Sequence, residues 1–225
     1  MSDETAPEVR DPEYARMYAM SLAKWMLYHQ ENILFERVHW MGVRTLKNPL
    51  DCWIYQEILW ETKPEVLVEI GSLHGGSTLF FCHLFDIIGA GRVVSVELDR
   101  SYYQVSHPRL VDVTGDCADP TVVARVAELC RGKTAMVVHD ADHEKSAVLT
   151  ALRLYSGLVT VGNYFIVEDG HQDVFDPSVR LGSDRPGALA AIREFLAGDD
   201  CFVVDRERER YLITYNPRGF LKRVK

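Results

Sequence analysis

The sequence is poor in the signals that usually classify a protein. No apolar run approaches the roughly 20 residues that a membrane-spanning helix needs. Cysteine is scarce: five residues, at 52, 82, 117, 130 and 201, with no Cys-x-x-Cys pair. An odd, scattered set excludes a zinc cluster, argues against a disulfide framework and fits reduced thiols. Positive charge is in deficit, 25 basic residues against 33 acidic ones, for a formal net charge of −8. That balance argues against sequence-independent nucleic-acid binding, which rests on neutralising phosphates. It also leaves no polybasic cluster for an anionic membrane surface. The first residues, Met-Ser-Asp-Glu-Thr-Ala-Pro-Glu, are polar and acidic, so no secretory signal is read and the cytoplasm is the expected location. Repeats and low-complexity tracts are absent. With 47% hydrophobic residues in 225, there is ample material for one folded domain with a full core.

What is present is alternation. Residues 1–12 read as an arm, and Glu13 to about Val43 as helical, rich in Tyr, Trp and Met. This gives an N-terminal unit, residues 1–45, expected to cap an acceptor pocket or to contact another copy. Asn48-Pro49 opens a helix as N-cap and first residue, and Lys63-Pro64 ends it. Strands are then expected at Val66–Ile70, Arg92–Glu97, Leu110–Thr114, Thr134–His139 and Asn163–Val167. Helices are expected between them at Gly76–Ile88, Pro120–Cys130 and His143–Tyr155. Such alternation implies an α/β fold with a parallel sheet and right-handed crossovers. A polar loop follows Gly170, then a helix at Gly187–Leu196. Cys201–Val204 and Tyr211–Thr214 read as a closing antiparallel pair. Residues 46–225 are thus expected to form the main domain.

The first strand runs into Glu69-Ile70-Gly71-Ser72-Leu73-His74-Gly75-Gly76-Ser77. The glycine spacing is not the Gly-x-Gly-x-x-Gly of dinucleotide folds, and no lysine follows to make a phosphate-binding loop. Acid-x-Gly-x-x-x-Gly is the arrangement that S-adenosylmethionine (SAM) enzymes use. Glu69 is then expected near the ligand's amino group, Gly71, Ser72 and Gly75 give backbone room, and Ser77 binds the carboxylate at the helix start. Glu97, ending the second strand, is placed to accept ribose hydroxyls. Asp116 and Cys117, after the third, are placed at the adenine.

Two apolar runs stop abruptly at acid: Val137-Val138-His139-Asp140-Ala141-Asp142-His143 and Phe165-Ile166-Val167-Glu168-Asp169-Gly170. Ligands of open α/β sheets bind beyond the carboxyl ends of the strands. Asp140, Glu168 and Asp169 would meet there, with Asp140 also bordering the cofactor. Three such charges repel unless a cation or protons join them. Oxygen donors of this kind suit Mg²⁺, Mn²⁺ or Ca²⁺.

These segments, with Ile58-Leu59-Trp60-Glu61, Gly75-Gly76-Ser77 and Gly115-Asp116-Cys117, resemble the cephalosporin hydroxylase and rhamnosyl O-methyltransferase family over about residues 45–215. Actinobacterial sugar O-methyltransferases look most similar. The resemblance implies a Rossmann-like SAM-binding sheet and a divalent metal, usually Mg²⁺, on Asp140, Glu168 and Asp169. It implies methyl transfer from SAM to a mannose- or rhamnose-containing oligosaccharide or glycolipid, and an assembly of identical chains. In the similar catechol-type O-methyltransferases a lysine base stands three residues after the first metal ligand. Here that position is His143, whose residue type titrates near neutral pH.

A second activity fits the family name: hydroxylation of a small antibiotic-like substrate. It would need a redox centre such as a 2-His-1-carboxylate iron site, for which His139, Asp140 and His143 lie close in sequence. A third reading is a module that binds SAM or glycan without turnover. In the 170–186 loop, Asp173, Asp176, Arg180 and Asp184 are candidates to hydrogen-bond sugar, and His171 to reach the acceptor.

Overall fold

Side-chain caps start the first two helices: Asp11 for α1 (Pro12–Tyr18) and Ser21 for α2 (Leu22–His29). The computed structural model describes residues 8–178 and 184–225. After α2 come a π-helical turn, Gln30–Leu34, and a short α3 (Phe35–Arg37). The helical reading to Val43 fails at this point. A hairpin follows instead, β1 (His39–Trp40) against β2 (Val43–Arg44). Met41 and Gly42 both take positive φ, 47° and 82°, as the tightest hairpin turn requires. Trp40 fixes the hairpin to the domain by packing edge-on against Phe80 and donating to His83 Nδ1 at 3.0 Å.

From there the expected alternation holds. It runs through α4 (Pro49–Thr62), β3 (Val66–Ile70), α5 (Gly76–Ile88), β4 (Arg92–Glu97), β5 (Leu110–Thr114), α6 (Pro120–Cys130), β6 (Ala135–His139), α7 (Lys145–Tyr155), β7 (Tyr164–Val167), α8 (Ala188–Gly198), β8 (Phe202–Val204) and β9 (Phe220–Arg223). Asn48 caps α4 by accepting from Leu50 N at 3.1 Å, and Lys63 ends it in a left-handed conformation. Asp119 caps α6 ahead of Pro120.

The main sheet has the order β5-β4-β3-β6-β7-β9-β8. The first five strands are parallel, while β9 runs antiparallel to both neighbours. Strand order reverses between β3 and β6, and ligand crevices form at such switch points. Alternate residues of β3 feed two cores. Val66, Val68 and Ile70 join one face of the sheet with residues of α6, α7 and α8, and Leu67 joins the other with α4 and α5.

The closing antiparallel pair is real, but its second strand is Phe220–Arg223 rather than Tyr211–Thr214. The charged stretch explains the difference. Asp205 caps a 3-10 turn, Arg206–Glu209, and Arg208 carries it onto α4 and β7. Its guanidinium bonds Glu61 (Nη1 to Oε1, 3.1 Å), Asp205 and the Tyr164 hydroxyl. The next residues therefore leave the sheet, and β9 inserts between β7 and β8. Among the described residues, no helix is long and apolar enough to cross a membrane.

Burial also sets an acid limit on this fold. His139 is 1% exposed, and burial pushes its imidazole down to about 3; His29 and His171 are lowered by the same cause. An unfolded histidine takes a proton near pH 6.5. These three contribute stability that is full above that pH and is lost as pH falls below it, for His139 progressively down to about 3. Asp51 works the other way. Burial raises its carboxyl to about 6, so its contribution is present below about 3.8 and lost as pH rises to 6. Relative to the wild type, His139→Leu should remove a loss of unfolding free energy of up to about 1.4 kcal/mol per pH unit as pH falls below 6.5. An unchanged slope in denaturant titrations would show that His139 is not held neutral.

Candidate active site

The glycine turn after β3 packs protein against protein. Gly71 has φ +89°, and a Cβ there would overlap the Asp140 carbonyl and lie 2.8 Å from Ala141 Cα. The ends of β3 and β6 therefore touch through a missing side chain. Gly76 likewise seats the Arg44–Thr45 backbone against the start of α5. The room expected for a ligand is thus used first by the chain itself. Gly71→Ala should cost at least ~1–2 kcal/mol from the left-handed backbone alone, before the overlap is counted. A lowered denaturation midpoint checks this; an unchanged one refutes the packing role.

Two cavities of about 500 and 440 Å³ flank this contact and share Gly71, Glu97, Leu98, Ala141 and Asp142. They form one cleft with a waist. Asp116 and Cys117 line the smaller part, while Ser72, Ser77, Asp140, His143 and Asp169 line the larger. Glu97 stands at the waist, where its carboxylate accepts from Ser72 N (2.6 Å), Leu73 N (2.7 Å) and Leu98 N (2.9 Å). It therefore pins the glycine turn as well as facing the cleft. Two of the expected cofactor contacts lie elsewhere. Glu69 is fully buried beneath the turn, bonded by Thr78, with Oε1 unpartnered. Gly75 faces Tyr103 and Val105. Neither lines the cleft.

Strand alternation decides where the three acids go. Asp140 and Glu168 follow β6 and β7 on the α4 side of the sheet. Glu168 is 5% exposed and accepts from Lys47 Nζ (2.6 Å) and the Tyr55 hydroxyl (2.8 Å). Tyr55 in turn accepts from Asn216 Nδ2 at 2.9 Å. Lys47 also pairs with Asp140. Asp169 takes a left-handed backbone, φ 60°, which turns its carboxylate toward α7. There His143 Nε2 lies 3.1 Å from Asp169 and 3.9 Å from Asp140. One donor atom from each of Asp140, His143 and Asp169 falls within 4.8 Å of the others, so these three could hold a metal ion. Glu168 stands behind this group, with Lys47. Burial raises the Glu168 and Asp140 carboxyls, each is raised further by a neighbouring acid, and Lys47 opposes the shift in both.

His143 precedes the first residue of α7 by two positions, so it sits just outside the helix rather than in its first turn. Its Nδ1 is buried without a partner. His139 shares the opposite sheet face with Ala135 and Val137; it lines the smaller part of the cleft and its Nδ1 is also unpartnered. His171 packs face to face on Tyr215 and contacts Gln30, within the wall that α2 and the π-helical turn supply. Asp173 is committed to α8, accepting from Gly187 N (2.7 Å) and Ala190 N (2.9 Å). Asp176 caps Ser178, and Arg180 lies outside the described residues.

Lys47, Tyr55, Asn216 and Gln30 were not singled out from sequence. Lys47 reaches carboxylates 93 and 121 positions away. Its only local mark is its place just before a helix cap.

Comparison with known proteins identifies the family and the fold. The profile of the rhamnosyl O-methyltransferase/CmcI family matches residues 32–224. A rhamnosyl O-methyltransferase of Mycobacterium leprae (strain TN) is 31% identical over 206 residues, covering 89% of this chain and 88% of that protein. One from Mycobacterium tuberculosis (strain ATCC 25618 / H37Rv) is 28% identical over 209 residues, covering 89% and 82%. Among solved structures, a CmcI described with Mg and SAM superposes with a TM-score of 0.67 at 24% identity, over 98% of this chain and 88% of that one. A putative caffeoyl-CoA O-methyltransferase from Staphylococcus aureus gives 0.56 at 14% identity, over 85% and 88%. These two establish the shared methyltransferase fold. By its sequence and the match along nearly all its length, the chain belongs to the rhamnosyl O-methyltransferase/CmcI family.

Proposed function

We propose that this chain transfers a methyl group from SAM to a sugar hydroxyl, assisted by a divalent cation, Mg²⁺ first among the candidates. The observation that carries the reading is the Asp140–His143–Asp169 group, set in the larger part of a cleft whose waist is the glycine turn. The smaller part, with Asp116, Cys117 and Glu97, is where the adenosine end would lie. The methionine end would pass Gly71, Ser72 and Ser77. The relatives' names supply rhamnose as the first acceptor to test, in an oligosaccharide or glycolipid.

The donor set fits a hard cation if His143 is left out as the base: Asp140 and Asp169 offer carboxylate oxygens, with Glu168 next to them. A cation bound there would supply Lewis acidity that lowers the pKa of a hydroxyl. His143 Nε2 lies 3.1 Å from Asp169, and with that carboxylate turned to a cation the unprotonated nitrogen would be free to take the hydroxyl's proton. The cleft walls would have to hold oxygen, methyl and sulfur in line and keep water away, an orientation effect of several kcal/mol. Gln30, Leu34 and Phe35 put part of the 1–45 unit in the wall of the larger cavity, which supports an acceptor-side role for it. Exposed Tyr14, Met17 and Tyr18 on the same unit suit contact with a second copy, for which sedimentation is the test.

The hydroxylase reading is less well supported. The clustered donors are one histidine and two carboxylates, the reverse of the iron set, and His139 faces the other part of the cleft. Product mass separates the two. Incubation with SAM and a panel of rhamnose, mannose and glucose oligosaccharides should add one methylene. A gain of one oxygen, or no turnover despite SAM binding, would overturn the proposal.

A further inference from the structure

Lys47 lies in the segment between the β1–β2 hairpin and α4. Its side chain is 2% exposed, yet it carries a full charge in a place where water cannot screen it. Its ammonium is 2.6 Å from Glu168 Oε1 and also bonds Asp140 Oδ2. Asp140 Oδ1, the same carboxylate's other oxygen, faces His143. One carboxylate therefore belongs both to the cationic side chain and to the group proposed to hold a dication. With all three ionised, Asp140, Glu168 and Asp169 against one ammonium leave two negative charges, the amount that one dication cancels.

We propose that Lys47 is a built-in counter-ion of the carboxylate cluster. It holds Asp140 and Glu168 side by side in the metal-free protein, and its charge weakens the binding of any dication that follows. Lys47 thereby sets how much metal the site demands. It touches no reacting atom on this reading, so it is a positioning residue. The inference rests on the proposal that Asp140 and Asp169 receive a dication.

Two facts strengthen the geometry. Lys47 immediately precedes Asn48, whose side chain caps α4, so its backbone is fixed by the helix start. Tyr55, two turns along the same helix, donates to the same Glu168 oxygen at 2.8 Å. The residue before the α4 cap and a residue of α4 thus present a cation and a hydroxyl to one buried carboxylate. Such pairs cost heavily when one partner alone is removed, and far less when both are neutralised together.

The experiment uses the full chain, with thermal unfolding in EDTA and in saturating MgCl₂, and calorimetric titration with Mg²⁺ and Mn²⁺. Lys47→Met should lower the melting temperature in EDTA by about 10 °C. In MgCl₂ the deficit should shrink by half or more, because the dication takes over the missing charge. Mg²⁺ should bind the variant at least about ten-fold more tightly, as a like charge has been removed. The double variant Lys47→Met/Glu168→Gln removes one charge of each sign and should recover most of the EDTA melting temperature. An equal deficit with and without Mg²⁺ would mean a merely structural role and overturn the proposal. So would weaker metal binding by Lys47→Met. If Lys47→Met does not fold in EDTA, the double variant decides, and its failure to fold also overturns the idea. Absence of Mg²⁺ and Mn²⁺ binding to the wild type would sink the metal reading along with it. Metal binding by the wild type that is unchanged in Lys47→Met would sink this proposal alone.

Discussion

His143→Ala is expected to lower turnover by about 10²–10⁴-fold, the usual contribution of a positioned base. SAM affinity should stay within a few-fold of the wild type, because the adenosine end is assigned to Glu97, Asp116 and Cys117. The reasoning is geometric. Nε2 is held 3.1 Å from Asp169 and 3.9 Å from Asp140, so it borders whatever those carboxylates hold. A hydroxyl drawn to that point would have its proton within reach. The same closeness allows a rival role as a metal donor. Titration with Mg²⁺ separates the two. Lost turnover with retained metal binding marks a base. Loss of both in step would remove His143 from that role and make it a ligand.

Asp169→Asn should be the most damaging single change that leaves the fold intact. Asparagine tolerates the left-handed backbone at φ 60° about as well as aspartate does, so the turn after β7 is preserved. What disappears is one charge in the Asp140–His143–Asp169 group, beside His143 Nε2. We expect turnover to fall by at least ~10³-fold, since most of the cation's contribution is lost with that carboxylate. The melting temperature in EDTA should hold or rise, because a repulsion with Asp140 is relieved. The Mg²⁺-induced rise in melting temperature should nearly vanish. A variant that keeps both its activity and that rise would show that the cation sits elsewhere.

Much of the frame could be read directly because its signals are local. Buried parallel strands are continuous apolar runs, so Val66–Ile70 and Arg92–Glu97 have the expected limits. Gly76–Ile88 ends at a glycine, and Asp119-Pro120 marks the start of α6, through caps a few residues long. The hairpin at 39–44 was hidden by aromatic residues that suit helices and strands alike. β9 was misplaced because its partners are β7 and β8, not the nearest apolar stretch. In the site, the strand ends gave Asp140, Glu168 and Asp169, and the three-residue offset of the similar catechol-type enzymes pointed to His143. The division of labour among them did not show. Whether Glu168 faces Lys47 or the cleft depends on which sheet face carries α4, and that is settled by packing across 121 positions.

The insertion of β9 between β7 and β8 also bears on the order in which the site can be built. The β7 flank stays uncovered until Phe220–Arg223 has been synthesised, and Asn216 must be in place before Tyr55 and the Asp169 backbone are bridged. A growing chain can fold β3 to β6 around the smaller cavity well before that. The carboxylate cluster therefore matures last, and a ribosome stalled short of residue 216 would carry a cleft without its finished floor.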